Sequence, residues 1–426
     1  MTMGIGKSLG IVLALMVVSA SANAEPGDGI SAGNLTVHPG IRLVGGFDSN
    51  VFFLSSDEAE VLSAPSVKVT PFVNIGTTNP DVLNLDLKGS VGWQQYLSPS
   101  SDVIQGQSGL DANVDLGVGI NEKGAFSVKF EDAFERTNEP PSSPSASSFD
   151  RTINRAGITL GLHPSGRVFQ HFLSYDWTLN LNDQVADIDR QLHDFTLRNY
   201  WKFLPKTAFV LTGDLGIVRY ENASRNRGNQ TFTNVGSMPL RVTGGITGLF
   251  TNRLSLKVIA GWGFGFYDEG ETFSGLLADV QATYAIGATA EKSKVYIGYE
   301  KQFGDATIAN YSSWHKPYAG YEQGFANRRL RLKLRGEILL RSYEGIFSGV
   351  HNVVGGQVNI PNTLSDSLVK VKAGLGFNIT RWFSTSLDYT LSSNLTADRL
   401  TASGSAEDSL RGYTRHFVGL GLTVKY

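Results

Sequence analysis

The chain has 426 residues, with 37 Lys and Arg against 39 Asp and Glu, no cysteine, 48 glycines, 24 phenylalanines and 15 tyrosines. Charge so balanced gives no electrostatic footprint for nucleic acid, and the lack of cysteine excludes a disulfide framework and a lipoprotein anchor. Glycine at this frequency weighs against helices, where each interior glycine costs about 1 kcal/mol, whereas abundant aromatics suit strands.

The N-terminus sets the compartment. Lys7 precedes an apolar run from Leu9 to Val18, and Ala22-Asn23-Ala24 has the small–x–small pattern that signal peptidase reads. The apolar run is too short to span a bilayer as a helix, which needs about 20 residues. Residues 1–24 therefore read as a signal peptide, with Ala22 and Ala24 forming the cleavage site. Residues 25–35 read as a short periplasmic segment and 36–426 as one barrel. No later stretch approaches the roughly 18 uninterrupted apolar residues of a membrane helix.

Period-two alternation fills the rest. In 83–96, Leu83, Leu85, Leu87, Val91 and Trp93 share one face, and Asn84, Asp86, Lys88, Ser90 and Gln94 share the other. A helix would scatter these residues around its circumference; a strand sorts them onto two faces. The pattern predicts strands at 36–47, 66–75, 82–97, 108–120, 125–136, 152–162, 167–182, 191–203, 207–220, 237–249, 254–267, 276–288, 294–304, 313–325, 329–343, 367–379, 383–396 and 412–426. Alternation is poorest in 313–325, where Pro317 suggests a strand end or bulge.

Connections alternate between short, such as 121–124 and 204–206, and long, such as 48–65, 137–151, 221–236, 305–312 and 344–366. Short periplasmic turns, long extracellular loops and an even strand number are the grammar of a transmembrane barrel. Soluble sandwiches have strands of about 5–6 residues, and propellers repeat every 40–50 residues or so; neither matches. The fold class is thus all-β, an antiparallel up-and-down barrel of about 18 strands in the bacterial outer membrane, facing its lipopolysaccharide.

Closure turns one face of every strand to lipid and the other to a lumen, because unpaired backbone cannot face hydrocarbon. About 18 strands enclose more space than side chains fill, so an aqueous channel is expected. Phe209, Leu211, Leu215 and Ile217 form one lipid-facing set. Inward positions carry a basic stripe: Arg329, Arg331, Lys333, Arg335 and Arg341, with Lys370 and Lys372 on the next strand. Acidic inward residues, Asp86, Asp111, Asp115, Glu131 and Asp176, fall in the first half of the chain, across the barrel. Such a transverse field selects among charged solutes. The alternative for the same residues is a set of structural ion pairs. Inward glycines leave room in the lumen or relieve crowding in a curved sheet.

Val418, Leu420, Leu422, Val424 and the terminal Tyr426 share one face. A terminal aromatic behind alternating apolar residues resembles the assembly signal read by the barrel-insertion machinery. Nothing in the sequence points to catalysis, a cofactor or a metal. The seven histidines are dispersed, with no metal-ligand spacing, and no Gly-x-Ser-x-Gly elbow is present.

After Pro39-Gly40-Ile41-Arg42-Leu43, the segment Gly45-Gly46-Phe47-Asp48-Ser49-Asn50-Val51-Phe52 ends the first strand. It resembles the first strand of the β-barrel porin 2 family of outer-membrane proteins. The resemblance implies secretion of exopolysaccharide or capsule, alongside a periplasmic polysaccharide-export protein of the Wza type. It transfers no functional residue. A diffusion porin for small hydrophilic solutes is the alternative. The glycine-bearing segment 344–366 is the candidate for a loop that folds inward and narrows the pore.

Overall fold

The computed structural model describes residues 27–426 except 56–60, 81, 99–100, 139–149, 165–167, 184–187, 223, 228–229, 288–292, 307–308, 326, 328, 347–348, 354–355, 361–363, 397–398, 404–407 and 411. The signal-peptide residues Ala22 and Ala24 lie outside these. Eighteen barrel strands follow one another: β1 (Leu35–Asp48), β2 (Ala64–Thr77), β3 (Leu83–Tyr96), β4 (Gly109–Ile120), β5 (Phe126–Thr137), β6 (Arg151–Leu162), β7 (Phe169–Asn182), β8 (Arg190–Leu204), β9 (Thr207–Tyr220), β10 (Ser237–Leu249), β11 (Leu254–Tyr267), β12 (Phe273–Ala285), β13 (Ser293–Asp305), β14 (Ala309–Phe325), β15 (Leu330–Ile346), β16 (Leu364–Asn378), β17 (Phe383–Asn394) and β18 (Tyr413–Lys425). Each pairs antiparallel with its chain neighbours, and β18 pairs with β1, which closes the barrel. A strand of about 13 residues, rising about 3.3 Å per residue and tilted by about 40°, spans roughly 33 Å. That crosses an apolar band of about 25 Å with residues to spare.

The two faces separate as the alternation predicts. Leu420 is 56% exposed, Leu211 55%, Leu173 52% and Trp93 51%. Apolar side chains so open on a folded protein are the lipid-facing surface. This closed barrel with an apolar outer band is an integral protein of the bacterial outer membrane.

β14 departs from expectation. It runs unbroken from Ala309 to Phe325, with Pro317 opposite Tyr299 of β13. On its other edge the ladder with β15 pairs His315 with Leu340 and Tyr318 with Glu337, skipping Lys316 and Pro317. The missing proline N–H is absorbed as a local gap in one ladder, not as a strand end.

The closing seam explains the Asp48-Ser49-Asn50 segment. Register runs from Gly40 opposite Lys425 to Asp48 opposite Phe417. Above it, Arg415 of β18 donates its Nε to both oxygens of the fully buried Asp48, at 2.9 and 3.0 Å, and its Nη2 to Oδ2. Ser49 N–H donates to His416 O at 2.9 Å, and His416 N–H donates to Ser49 Oγ at 2.8 Å. The buried Asn50 donates Nδ2 to Thr414 O at 3.2 Å and to Leu54 O at 2.8 Å. These side chains continue the backbone ladder past its last registered pair. At the other end, Tyr426 N–H donates to Pro39 O at 2.8 Å. Val418, Leu420, Leu422 and Val424 all lie on the lipid face.

Asp48→Ala should leave a guanidinium without its counter-charge, which costs about 3–5 kcal/mol when a buried pair loses one partner. The expected result is a lower temperature for loss of the compact, heat-modifiable band on electrophoresis. An unchanged transition would show that the backbone ladder alone holds the seam.

Candidate functional site in the barrel lumen

The inner wall is built from the polar half of each strand. Lys333, Arg335, Lys370 and Lys372 face inward as predicted: Arg335 is registered with Lys372, and Glu337 with Lys370. Arg331 is opposite Gly376, near the periplasmic end. Arg329 lies in the turn before β15 and is exposed there, so it belongs to the rim. Arg341 and Arg335 are structural. Arg341 grips Asp366 with Nε at 3.0 Å and Nη2 at 2.7 Å, and Tyr343 OH donates to the same carboxylate at 2.9 Å. Arg335 Nε donates to Glu337 at 3.0 Å, and its guanidinium lies 4.9 Å from the Tyr318 ring centre. The two sequence readings of the stripe thus divide by residue.

Beside the seam, a lumen cavity of about 580 Å³ is lined by Lys68, Arg151, Lys370, Lys372, Arg415 and Glu337, with Lys68 paired to Asp111 and Arg415 to Asp48. Phe53, Tyr96, Tyr413 and Phe417 add aromatic faces, and Thr390, Ser392 and Ser393 add hydroxyls. The segment after β1 forms part of its wall: Phe53 has φ +58°, lies edge-on to Tyr413 at 4.9 Å and beneath the Arg415 guanidinium at 4.6 Å.

The predicted acidic wall is not a bare one. Asp111 binds Lys68 at 2.5 Å, Asp86 binds Lys88 at 2.6 Å, Glu131 binds Lys129 at 2.6 Å and Asp176 binds Arg155 at 3.2 Å. Asp115 lines a smaller recess with Lys88 and Arg42. Carboxylates and cations share these strands because unpaired like charges on neighbouring strands would repel. The richer acidic surface lies elsewhere. A second lumen cavity of about 400 Å³ combines Asp176, Asp194, Asp214 and Asp305 with Arg155, Arg190 and Arg241. Its carboxylates come from β7, β8, β9 and β13, interleaved with arginines of β6, β8 and β10.

Among the described residues, the β13–β14 hairpin enters the lumen. The β12–β13 ladder ends at Ala278 opposite Lys301, while β13 and β14 stay paired to Asp305 opposite Tyr311. Freed from β12, the β13–β14 hairpin bends inward. Phe303, 1% exposed, stacks on Phe273 of the inner wall at 4.0 Å. It sits on two glycines of β11: a Cβ at Gly263 would meet the Phe303 ring at 2.5 Å, and one at Gly265 at 3.0 Å. Ser237 Oγ and Tyr267 OH donate to Asp305 at 2.7 and 3.1 Å. Arg241 donates to Asp214 at 2.9 Å and to Phe303 O at 3.2 Å. Asn310 Nδ2 donates to Glu269 O at 2.6 Å. The hairpin therefore narrows the extracellular half of the lumen.

The expected long loop 305–312 is this tight hairpin. Within the expected loop 344–366, β15 continues to Ile346, and Gly349–Val353 and Gly356–Ile360 are strands that join Arg399–Ser403 and Asp408–Leu410 in a separate four-stranded sheet. Phe303, Asp305 and Arg241 escaped sequence reasoning. The available signal was the alternating glycines of β11, which seat an aromatic as well as leaving space.

No protein-family model and no curated protein sequence matches this chain. Among solved structures it resembles OpdQ of Pseudomonas aeruginosa, at 9% identity over 92% of this chain and 98% of that one, with a TM-score of 0.47. OccAB3 of Acinetobacter baumannii matches at 10% identity over 93% and 100% of the two chains, with a TM-score of 0.46. The siderophore receptor PirA of Pseudomonas aeruginosa matches at 10% identity over 91% and 80%, with a TM-score of 0.43. The functional assignment rests on this barrel's own lumen: a closed outer-membrane barrel with a charged, cavity-bearing interior is an outer-membrane channel.

Lys370→Glu with Lys372→Glu should move ion preference towards cations in planar bilayers, since charged rings set channel selectivity. An unchanged reversal potential in the folded double variant would place these lysines outside the conducting path. Gly263→Leu should unseat Phe303 and raise single-channel conductance. An equal conductance would mean that the hairpin does not narrow the route.

Proposed function

We propose that this channel exports a surface or secreted polysaccharide, working with a periplasmic polysaccharide-export partner of the Wza type. The observation that carries the reading is the composition of the larger lumen cavity. Lysines, hydroxyls and aromatic side chains meet there, at Lys370, Lys372, Thr390, Ser392, Tyr413 and Phe417. Aromatic faces pack on sugar rings while their rims and neighbouring hydroxyls bond to sugar hydroxyls. Lysines attract the carboxylates of an acidic polymer, and contacts spread along a wall let a chain slide without stalling. The resemblance of the Gly45–Phe52 segment to the β-barrel porin 2 family supports the same substrate class and supplies the partner.

The inward β13–β14 hairpin favours a second reading, a diffusion porin for small hydrophilic solutes, because it reduces the open cross-section.

Deletion of the gene should abolish one extracellular polysaccharide and leave small-sugar uptake nearly intact, as should loss of the periplasmic partner. Normal polysaccharide with impaired sugar uptake would overturn export in favour of diffusion.

A further inference from the structure

The lipid-facing surface carries three tyrosine–histidine pairs: Tyr175 OH with His193 Nδ1 at 2.9 Å, Tyr299 OH with His315 Nδ1 at 2.5 Å, and Tyr389 OH with His416 Nδ1 at 2.9 Å. Their geometry repeats. Each tyrosine sits on a strand running towards the extracellular rim, and its histidine sits on the next strand, one diagonal step nearer that rim. Tyr175 faces Phe195 while His193 faces Trp177; Tyr299 faces Pro317 while His315 faces Lys301; Tyr389 faces Val418 while His416 faces Leu391. Below this level the outer face is apolar, with Ile297 at 65% exposure. Above it lie polar groups, including Gln191 opposite Arg219 and Ser313 bonded to Ser342 at 3.1 Å. The pairs thus mark the depth where acyl chains give way to headgroups.

At one pair the surroundings change. Below Tyr299 and His315 the wall is recessed into an apolar groove of about 660 Å³ across β12–β16. Ala282, Pro317, Ala319 and Gly336 keep it shallow-walled between Ile297 and Ile338. A Cβ at Gly336 would meet nothing within 4 Å. Above the pair, Lys301 is registered with both Ala278 and His315, which places it on the same outer face. Among the described residues Lys301 has no acidic partner. The row of His193 instead leads through Trp177 and Ala156 to Asp132, which would repel an anion.

We propose that the groove and the Lys301–Tyr299–His315 cluster above it form a binding site for lipid A of the outer leaflet. One acyl chain lies in the groove, and a glucosamine phosphate meets the lysine ammonium and the tyrosine–histidine pair. A bare groove would not discriminate, since one lipid tail replaces another without a hydrophobic gain. Discrimination comes from the charge-assisted contact to phosphate. The distance suits a single lipid: Lys301 to Ile297 spans roughly 13 Å along the strand. The site is independent of whatever solute the channel carries.

The test is native mass spectrometry of the detergent-solubilised mature barrel with hexa-acylated, bis-phosphorylated lipid A, after confirming heat-modifiable mobility for every variant. The wild type should retain one lipid A. Lys301→Gln with His315→Gln should weaken retention about tenfold, and so should Gly336→Phe, which fills the groove; Ala319→Leu serves if Gly336→Phe does not fold. Dephosphorylated lipid A should bind the wild type no better than lipid A binds the double variant. Unchanged retention in both kinds of variant, or retention of phosphatidylglycerol equal to that of lipid A, would overturn the site.

Discussion

Everything in this structure depends on the need to pair every backbone N–H and C=O of a sheet immersed in hydrocarbon. An open sheet would leave two unpaired edges, so β18 must find β1. The chain strengthens that closure where the ladder runs out, with Asp48 buried against Arg415 and Asn50 bonded across to Thr414. A charge pair so enclosed contributes little net stability in general, because desolvation offsets most of the attraction. Its use here is geometric. It fixes which residue of the first strand meets which residue of the last, and a slip by one residue would turn every lipid-facing side chain into the lumen.

Closure also creates the functional space. Once one face is committed to lipid, most of the charged side chains of eighteen strands converge on a shared interior, where they lie close enough to act on one another. The chain arranges them in two regions. Beside the seam, cations gather with aromatic and hydroxyl groups; opposite, carboxylates and arginines interleave around Arg241 and Asp214. The hairpin of β13 and β14 stands over the second region, bound through Asp305 and Phe303. A constriction made from strand continued inward is stiffer than one made from a loop, since its own ladder persists to Asp305 opposite Tyr311.

Much of this was legible in the sequence. Strands at 207–220, 237–249 and 254–267 coincide with β9, β10 and β11, because a strand half in lipid and half in water has no freedom to blur its alternation. The lumen orientation of Lys370 and Lys372 follows from the same parity. Partners across strands were not legible, because alternation fixes which face a residue occupies but not the stagger of its neighbour. Asp111 meets Lys68 two strands away, a partner that parity alone does not give, whereas Asp86 with Lys88 and Glu131 with Lys129 pair two residues apart on one strand. The inward hairpin was hidden for a related reason. Phe303 and Asp305 keep the parity of lipid-facing positions, and only the early end of the β12–β13 ladder turns that parity towards the inner wall.

The central claim is that the polar face of these strands lines a water-filled passage. The chain contains no cysteine, so single cysteines report without background. Lys372→Cys and Val371→Cys, adjacent on β16, should be treated with a charged, membrane-impermeant thiol reagent while current is recorded through the folded barrel in a planar bilayer. The account predicts that Lys372→Cys is modified and its current falls, while Val371→Cys is protected by lipid and its current is unchanged. Modification of Val371→Cys with protection of Lys372→Cys would contradict it.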